Sequence, residues 1–130
     1  MENFCETIEI EGKIIGIIGT RRRDTDDDLE KVINEFLKIY KPGDIICSGG
    51  CEEGGDKFAD IIAKRWGLSI LTHYADWLVH HQRAGFIRNT KIAKDSTVLI
   101  ACVASDRKGG TEDTIEKFEK LHPYGKVILI

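Results

Sequence analysis

Residues Lys13 to Ile18 carry four isoleucines, Ile14, Ile15, Ile17 and Ile18, almost without interruption. β-Branched side chains of this kind favour an extended backbone. Successive residues of a strand point to opposite faces of a sheet. A run that is apolar at both parities must therefore be covered on both sides, the condition of a strand inside a parallel α/β sheet. Gly19 closes the run. Leu29, Val32, Ile33, Phe36, Leu37 and Tyr40 then recur at helical spacing, with Asp24 or Thr25 available as a cap and Pro42-Gly43 as the stop.

The same alternation continues to the last residue. Asp44 to Cys47 reads as a second strand, and Phe58, Ala59, Ile61, Ile62 and Trp66 as a helix that Gly67 ends. Ser69 to His73 reads as a third strand, followed by a loop from Tyr74 to about Gln82 and a weaker helical pattern from Ala84 to Lys94. Thr97 to Cys102 is a fourth strand, Ile115, Phe118 and Leu121 mark a fourth helix, and Lys126 to Ile130 is the last strand. Phe4 to Glu11 alternates weakly and fits an extra edge strand. Strands separated by helices predict a single Rossmann-like α/β domain over residues 1–130, three-layered, with a mostly parallel sheet. Right-handed crossovers give the strand order 3-2-1-4-5.

In such sheets ligands bind beyond the carboxyl ends of the strands, at the switch in strand order. The glycine-rich segments of this chain fall there. Cys47-Ser48-Gly49-Gly50-Cys51-Glu52-Glu53-Gly54-Gly55-Asp56 lies between a strand and a helix, and so does Lys108-Gly109-Gly110-Thr111. Without Cβ atoms the backbone can come close to a ligand. A helix N-terminus offers unpaired N–H groups and partial positive charge, a combination suited to phosphate. Gly19-Thr20-Arg21 after the first strand converges on the same edge. The expected ligand is a nucleotide or nucleotide-derived small molecule.

Composition narrows the classes. The chain has 130 residues and a formal net charge of −3, so its overall field does not favour nucleic acid. The one compact basic run, Arg21-Arg22-Arg23, is followed by Asp24 and by Asp26-Asp27-Asp28, and Arg22 and Arg23 read as solvated. No stretch is apolar enough for a membrane span, and the acidic start, Met1 to Glu6, lacks a secretory pattern. A cytoplasmic protein with four reduced cysteines is expected. No Cys-x-x-Cys or His-Glu-x-x-His pattern suggests a metal, and no cofactor is indicated.

In order, the motifs are Gly19-Thr20-Arg21, Ser48-Gly49-Gly50 with Gly55-Asp56, Ala75-Asp76-Trp77, Ala84-Gly85-Phe86-Ile87-Arg88-Asn89 and Gly109-Gly110-Thr111. From Lys13 to Ile130 this resembles the SLOG superfamily, the Rossmann-like group of DNA-processing protein A (Smf) and the LOG phosphoribohydrolases. The nearest likeness is to the YspA-like, YpsA-related family. The resemblance implies a nucleotide-like ligand. It leaves activity open, because LOG enzymes hydrolyse the N-glycosidic bond of nucleoside 5′-monophosphates through a signature that this chain only partly shares. Arg88 and Gly110-Thr111 match it, but Phe86 stands in place of its histidine and Thr114 in place of its glutamate.

The ligand-binding candidates are thus Gly19, Thr20, Arg21, Ser48, Gly49, Gly50, Gly54, Gly55, Asp56, Trp77, Arg88, Asn89, Gly109, Gly110 and Thr111. Asp56 could hydrogen-bond a ribose hydroxyl or cap its own turn. Thr111 could contact phosphate or act as an N-cap. Trp77 could stack on a base or pack in the core. A binding module needs no more than these. A glycosidase also needs a carboxylate near the anomeric carbon, and Glu112, Asp113 and Asp76 are the candidates. A nucleic-acid binder would need a basic groove, which only an oligomer could assemble around Arg21 to Arg23. Homo-oligomerisation is possible in this fold.

Overall fold

The first strand, β1 (Ile14–Gly19), divides its side chains between two cores. Ile15 and Ile17 point into one and Ile18 into the other. The computed structural model describes residues 12–130; the edge strand expected over Phe4 to Glu11 lies outside the described residues. The chain continues through α1 (Asp26–Ile39), β2 (Ile45–Ser48), α2 (Gly55–Trp66) and β3 (Ile70–Thr72). A short α3 (Trp77–His80) and a 3-10 turn (His81–Arg83) lead into α4 (Ala84–Asp95). β4 (Val98–Cys102), α5 (Gly110–Leu121) and β5 (Lys126–Leu129) complete it.

The five strands form one sheet in the order β3-β2-β1-β4-β5, parallel at every pairing. This is the expected Rossmann-like order, and the switch point lies between β1 and β4. Helices α1 and α2 cover one face, where Val32, Phe36, Phe58 and Ile62 meet Ile15, Ile17, Ile46 and Ile100. Helices α4 and α5 cover the other, where Ile92, Ala93, Ile115 and Phe118 meet Ile18, Cys47, Leu99 and Ala101. Each fully buried phenylalanine, Phe36, Phe58 and Phe118, contributes about 1.5–3 kcal/mol by leaving water.

The helix boundaries have local causes. Thr25 caps α1 and Asp28 reciprocates from the third helical position, a capping box. Gly67 ends α2 in the left-handed conformation at φ 64°, ψ 40°. Two expectations change. The stretch from Tyr74 to Gln82 is not all loop: Asp76 accepts a hydrogen bond from Val79 N–H and starts the single turn α3. Arg23 is not solvated. It reaches inward to Asp28 and to the carbonyls of Val103 and Ile130, joining the start of α1 to the far end of the sheet. Trp66 and Leu121 hold their helical register but are about half exposed.

Candidate functional site

Beyond the carboxyl ends of β1, β2 and β4 lies a cleft of about 600 Å³. Ile18 to Arg22 form its floor, Gly49 to Cys51 one wall, and Lys108 to Thr111 the opposite wall. Tyr74, Ala75 and Trp77 stand at one rim, and Arg88, Asn89 and Ile92 of α4 close the back. The structure therefore gathers Gly19, Thr20, Arg21, Gly49, Gly50, Asp56, Trp77, Arg88, Asn89, Gly109, Gly110 and Thr111 around one space. Ser48, Gly54 and Gly55 do not line it. Ser48 is buried in the sheet. Gly54 and Gly55 seat α2 against β1: a Cβ on Gly55 would come within 2.1 Å of Gly19 N.

The two glycine turns have different states. In the first, the Asp56 carboxylate reaches back and accepts hydrogen bonds from the Gly49 and Cys51 N–H groups, both at 3.1 Å. Gly54 N–H donates to Asp24. The turn thus carries its own anion, and burial pushes the Asp56 carboxyl above its ordinary value even though those two N–H groups and Arg88 oppose the shift. Of the two readings of Asp56, the cap of its own turn is the one realised in the contacts. Gly50, at φ 77°, lies against the Tyr74 ring.

The second turn is open. Gly109, at φ 120°, precedes α5 without any side-chain cap. Thr111 lies inside the first helical turn and so is not the N-cap that its residue type allowed. The N-terminus of a twelve-residue helix faces the cleft without a side-chain cap; the two carboxylates of its first turn, Glu112 and Asp113, are paired with Arg107 and with Asn89 and Lys117, respectively.

Helix α4 sets the distance between the turns. Arg88 donates to the Gly49 carbonyl at 2.9 Å and, through Nε, to Asn89 Oδ1 at 3.0 Å. Asn89 in turn donates to the Gly110 carbonyl and to Asp113. Arg22 makes a second strut, with a bidentate pair to Asp106 and a bond to the Lys108 carbonyl. The cleft is lined by four cationic side chains, Arg21, Arg22, Arg88 and Lys108, against one carboxylate, Asp56. Arg21 and Lys108 are exposed, and their side chains make no ion pair among the described residues. In a chain with a net charge of −3, this local excess favours an anion.

The three carboxylates considered for catalysis are engaged elsewhere. Glu112 forms a bidentate pair with Arg107 at 2.7 and 2.9 Å. Asp113 accepts from Asn89 and Lys117, and Asp76 caps α3. Glu112 and Asp113 face a second groove, of about 580 Å³, between α5 and β5. Glu116 and Glu119 also line that groove and Arg107 is its one cation, so its charge is opposite to that of the cleft.

Sequence reasoning passed over Tyr74, which falls in a segment without periodicity; Arg22 is exposed as expected, but its pairing with Asp106 was not foreseen. Among the described residues, no group of three or more His, Cys, Asp or Glu is placed to hold a metal ion, and no helix is long and apolar enough to cross a membrane. Compared with protein-family models, with curated proteins and with solved structures, the chain gives no significant match.

Proposed function

We propose that this domain binds a small phosphorylated ligand, a nucleotide or nucleotide-derived molecule, in the cleft at the carboxyl edge of the sheet. One observation carries the reading: the uncapped N-terminus of α5 opens into a cleft where cationic side chains outnumber carboxylates four to one. Helix dipole, free N–H groups and nearby guanidinium and ammonium groups favour the same charge at the same place. The phosphate belongs at Gly109 to Thr111, within reach of Arg21 and Lys108. The first glycine turn takes the uncharged part of the ligand, since Asp56 already accepts from its Gly49 and Cys51 N–H groups and would repel a second phosphate.

A binding module fits these groups better than a glycosidic hydrolase, because Glu112, Asp113 and Asp76 each have other partners. It fits better than a nucleic-acid binder too, because Arg23 points inward and Arg22 is paired with Asp106.

A thermal-shift screen over mononucleotides, ADP-ribose, NAD, nucleotide sugars and inorganic phosphate tests the proposal. A ligand at a hundred times its dissociation constant adds about 2.7 kcal/mol to the folded state. Arg88→Ala should both weaken that ligand and lower the melting temperature of the free protein, because Arg88 also holds the Gly49 carbonyl. Failure of every phosphorylated compound to raise the melting temperature would refute the reading.

A further inference from the structure

The stretch from Tyr74 to Arg83 contains no buried residue, yet it borders the cleft. Its two ends are fixed. His73 N–H donates to the Ser48 carbonyl at 2.8 Å, and His73 Nε2 lies 2.6 Å from Asp95 Oδ2. At the other end Ala84 is buried. Between these anchors the hydrogen bonds are internal, from Val79 and His80 to Asp76 and from His81 to Trp77. A segment with few buried contacts and, among the described residues, no hydrogen bond from its middle to the rest of the domain opens at low cost.

The segment carries two aromatic rings to the site. Tyr74 and Trp77 both line the cleft while remaining 73% and 60% exposed. The Tyr74 ring lies against Gly50, where a Cβ would come within 2.5 Å of it, and the Trp77 ring lies beside Gly85. The segment also holds a strained residue: His81 adopts φ 52°, ψ −128°, a region that side chains rarely enter. Strained residues of this kind cluster at ligand clamps and switch regions.

We propose that Tyr74 to Arg83 is a lid that recognises a planar heteroaromatic ring, with Tyr74 and Trp77 stacking on it and the segment closing over the cleft as it binds. This rests on the reading of the cleft as an anion site, and adds to it what the far end of the ligand is. The phosphate sits on α5, the ring on the lid, and the polar middle of the molecule against the first glycine turn. Stacking tolerates any base, since each has a π face. The lid therefore selects for the presence of a ring rather than for one base.

The chain has two tryptophans, so Trp66→Phe leaves Trp77 as the sole reporter. The probes are the four common nucleoside 5′-monophosphates, ribose 5-phosphate and inorganic phosphate. The expected result has three parts. At least one nucleotide binds more tightly than ribose 5-phosphate and shifts Trp77 emission, while ribose 5-phosphate binds without changing it. Amides of residues 74–83 gain protection from hydrogen exchange with the nucleotide only. Trp77→Ala lowers nucleotide affinity about 10- to 100-fold, leaves ribose 5-phosphate within about 2-fold, and is largely rescued by Trp77→Phe.

The lid is overturned if Trp77→Ala weakens both ligands equally, or if nucleotides bind no better than ribose 5-phosphate. It is also overturned if Trp77 emission follows protein concentration instead of ligand, which would make this face a contact between copies. If ribose 5-phosphate and phosphate fail to bind along with the nucleotides, the anion reading falls and the lid with it.

Discussion

Replacing Gly55 by alanine probes how α2 is seated, and hence what holds the first glycine turn in place. A Cβ there would lie 2.1 Å from both Gly19 N and the Ile18 carbonyl carbon, and 2.5 Å from the Ile18 oxygen. All three are backbone atoms of β1, which is paired on one side with β2 and on the other with β4. They cannot turn aside as a side chain would. Ordinary van der Waals contact begins at 3.4 Å, so the start of α2 must retreat by roughly 1 Å in an interior packed like an organic crystal. That movement loosens Phe58, Ala59 and Ile62 from the core. Overpacking that side chains can absorb costs about 1–3 kcal/mol. Backbone against backbone puts Gly55→Ala at the top of that range or above it. Gly67→Ala is the control: its φ is +64° and no atom lies within 4 Å of the new Cβ, so it loses only the left-handed penalty of about 1–2 kcal/mol. Urea unfolding with linear extrapolation measures both. If Gly55→Ala costs less than Gly67→Ala, the close approach of α2 to β1 is not what sets this turn.

Asp44 should contribute to the acid limb of stability. Burial pushes its carboxyl up, but Lys13 Nζ and the N–H groups of Lys41 and Lys13 outweigh burial and hold it below the ordinary carboxylate value. Its contribution is therefore present above about pH 3.9 and is lost as pH falls through its folded value. Asp44→Ala should cost about 1–3 kcal/mol at pH 7 by leaving partly buried donors unpaired and should flatten the loss of stability below about pH 4 in chemical unfolding. An unchanged acid limb would refute the assignment. The cysteines should differ sharply in reactivity. Burial pushes the Cys47 thiol up to about 11 and raises Cys102 as well, whereas Cys51 is partly exposed at the cleft. In a Cys5→Ser variant, a thiol reagent at pH 8 should label Cys51 alone in the native state and all three remaining cysteines after denaturation. Native labelling of Cys47 or Cys102 would contradict the burial.

The fold was legible because its signals are local and repeated. Apolar runs such as Ile14 to Ile18 and Val98 to Cys102 can only be strands covered on both faces, and the helical spacing of Val32 and Phe36 or Phe58 and Ile62 leaves little choice. The convergence of Gly19, Gly49, Gly109 and Arg88 on one edge follows from that topology. What the sequence did not reveal is where individual polar groups turn. Asp56 lies near enough to its turn either to fill the N–H groups or to face a ligand, and only the path of the backbone from Gly49 to Gly55 decides it. Glu112, Asp113 and Thr114 are consecutive on a helix, about 100° apart around its axis. Which one faces the cleft depends on where α5 begins. It begins at Gly110, and that phase brings Thr114 to the cleft and sends Glu112 to Arg107. Tyr74 lies in a stretch without periodicity, so nothing in the chain announces that it reaches Gly50.

In the proposed mode of binding the second glycine turn, not the first, receives the anion. Amide chemical shifts in a ¹⁵N-labelled sample test it directly when ribose 5-phosphate or a nucleoside monophosphate is added. The largest shifts are expected at Gly110 and Thr111, whose N–H groups have no hydrogen-bond partner among the described residues. The Gly49 and Cys51 amides should change far less, since both already donate to Asp56. Shifts centred on Gly49 and Cys51, with Gly110 and Thr111 undisturbed, would contradict it.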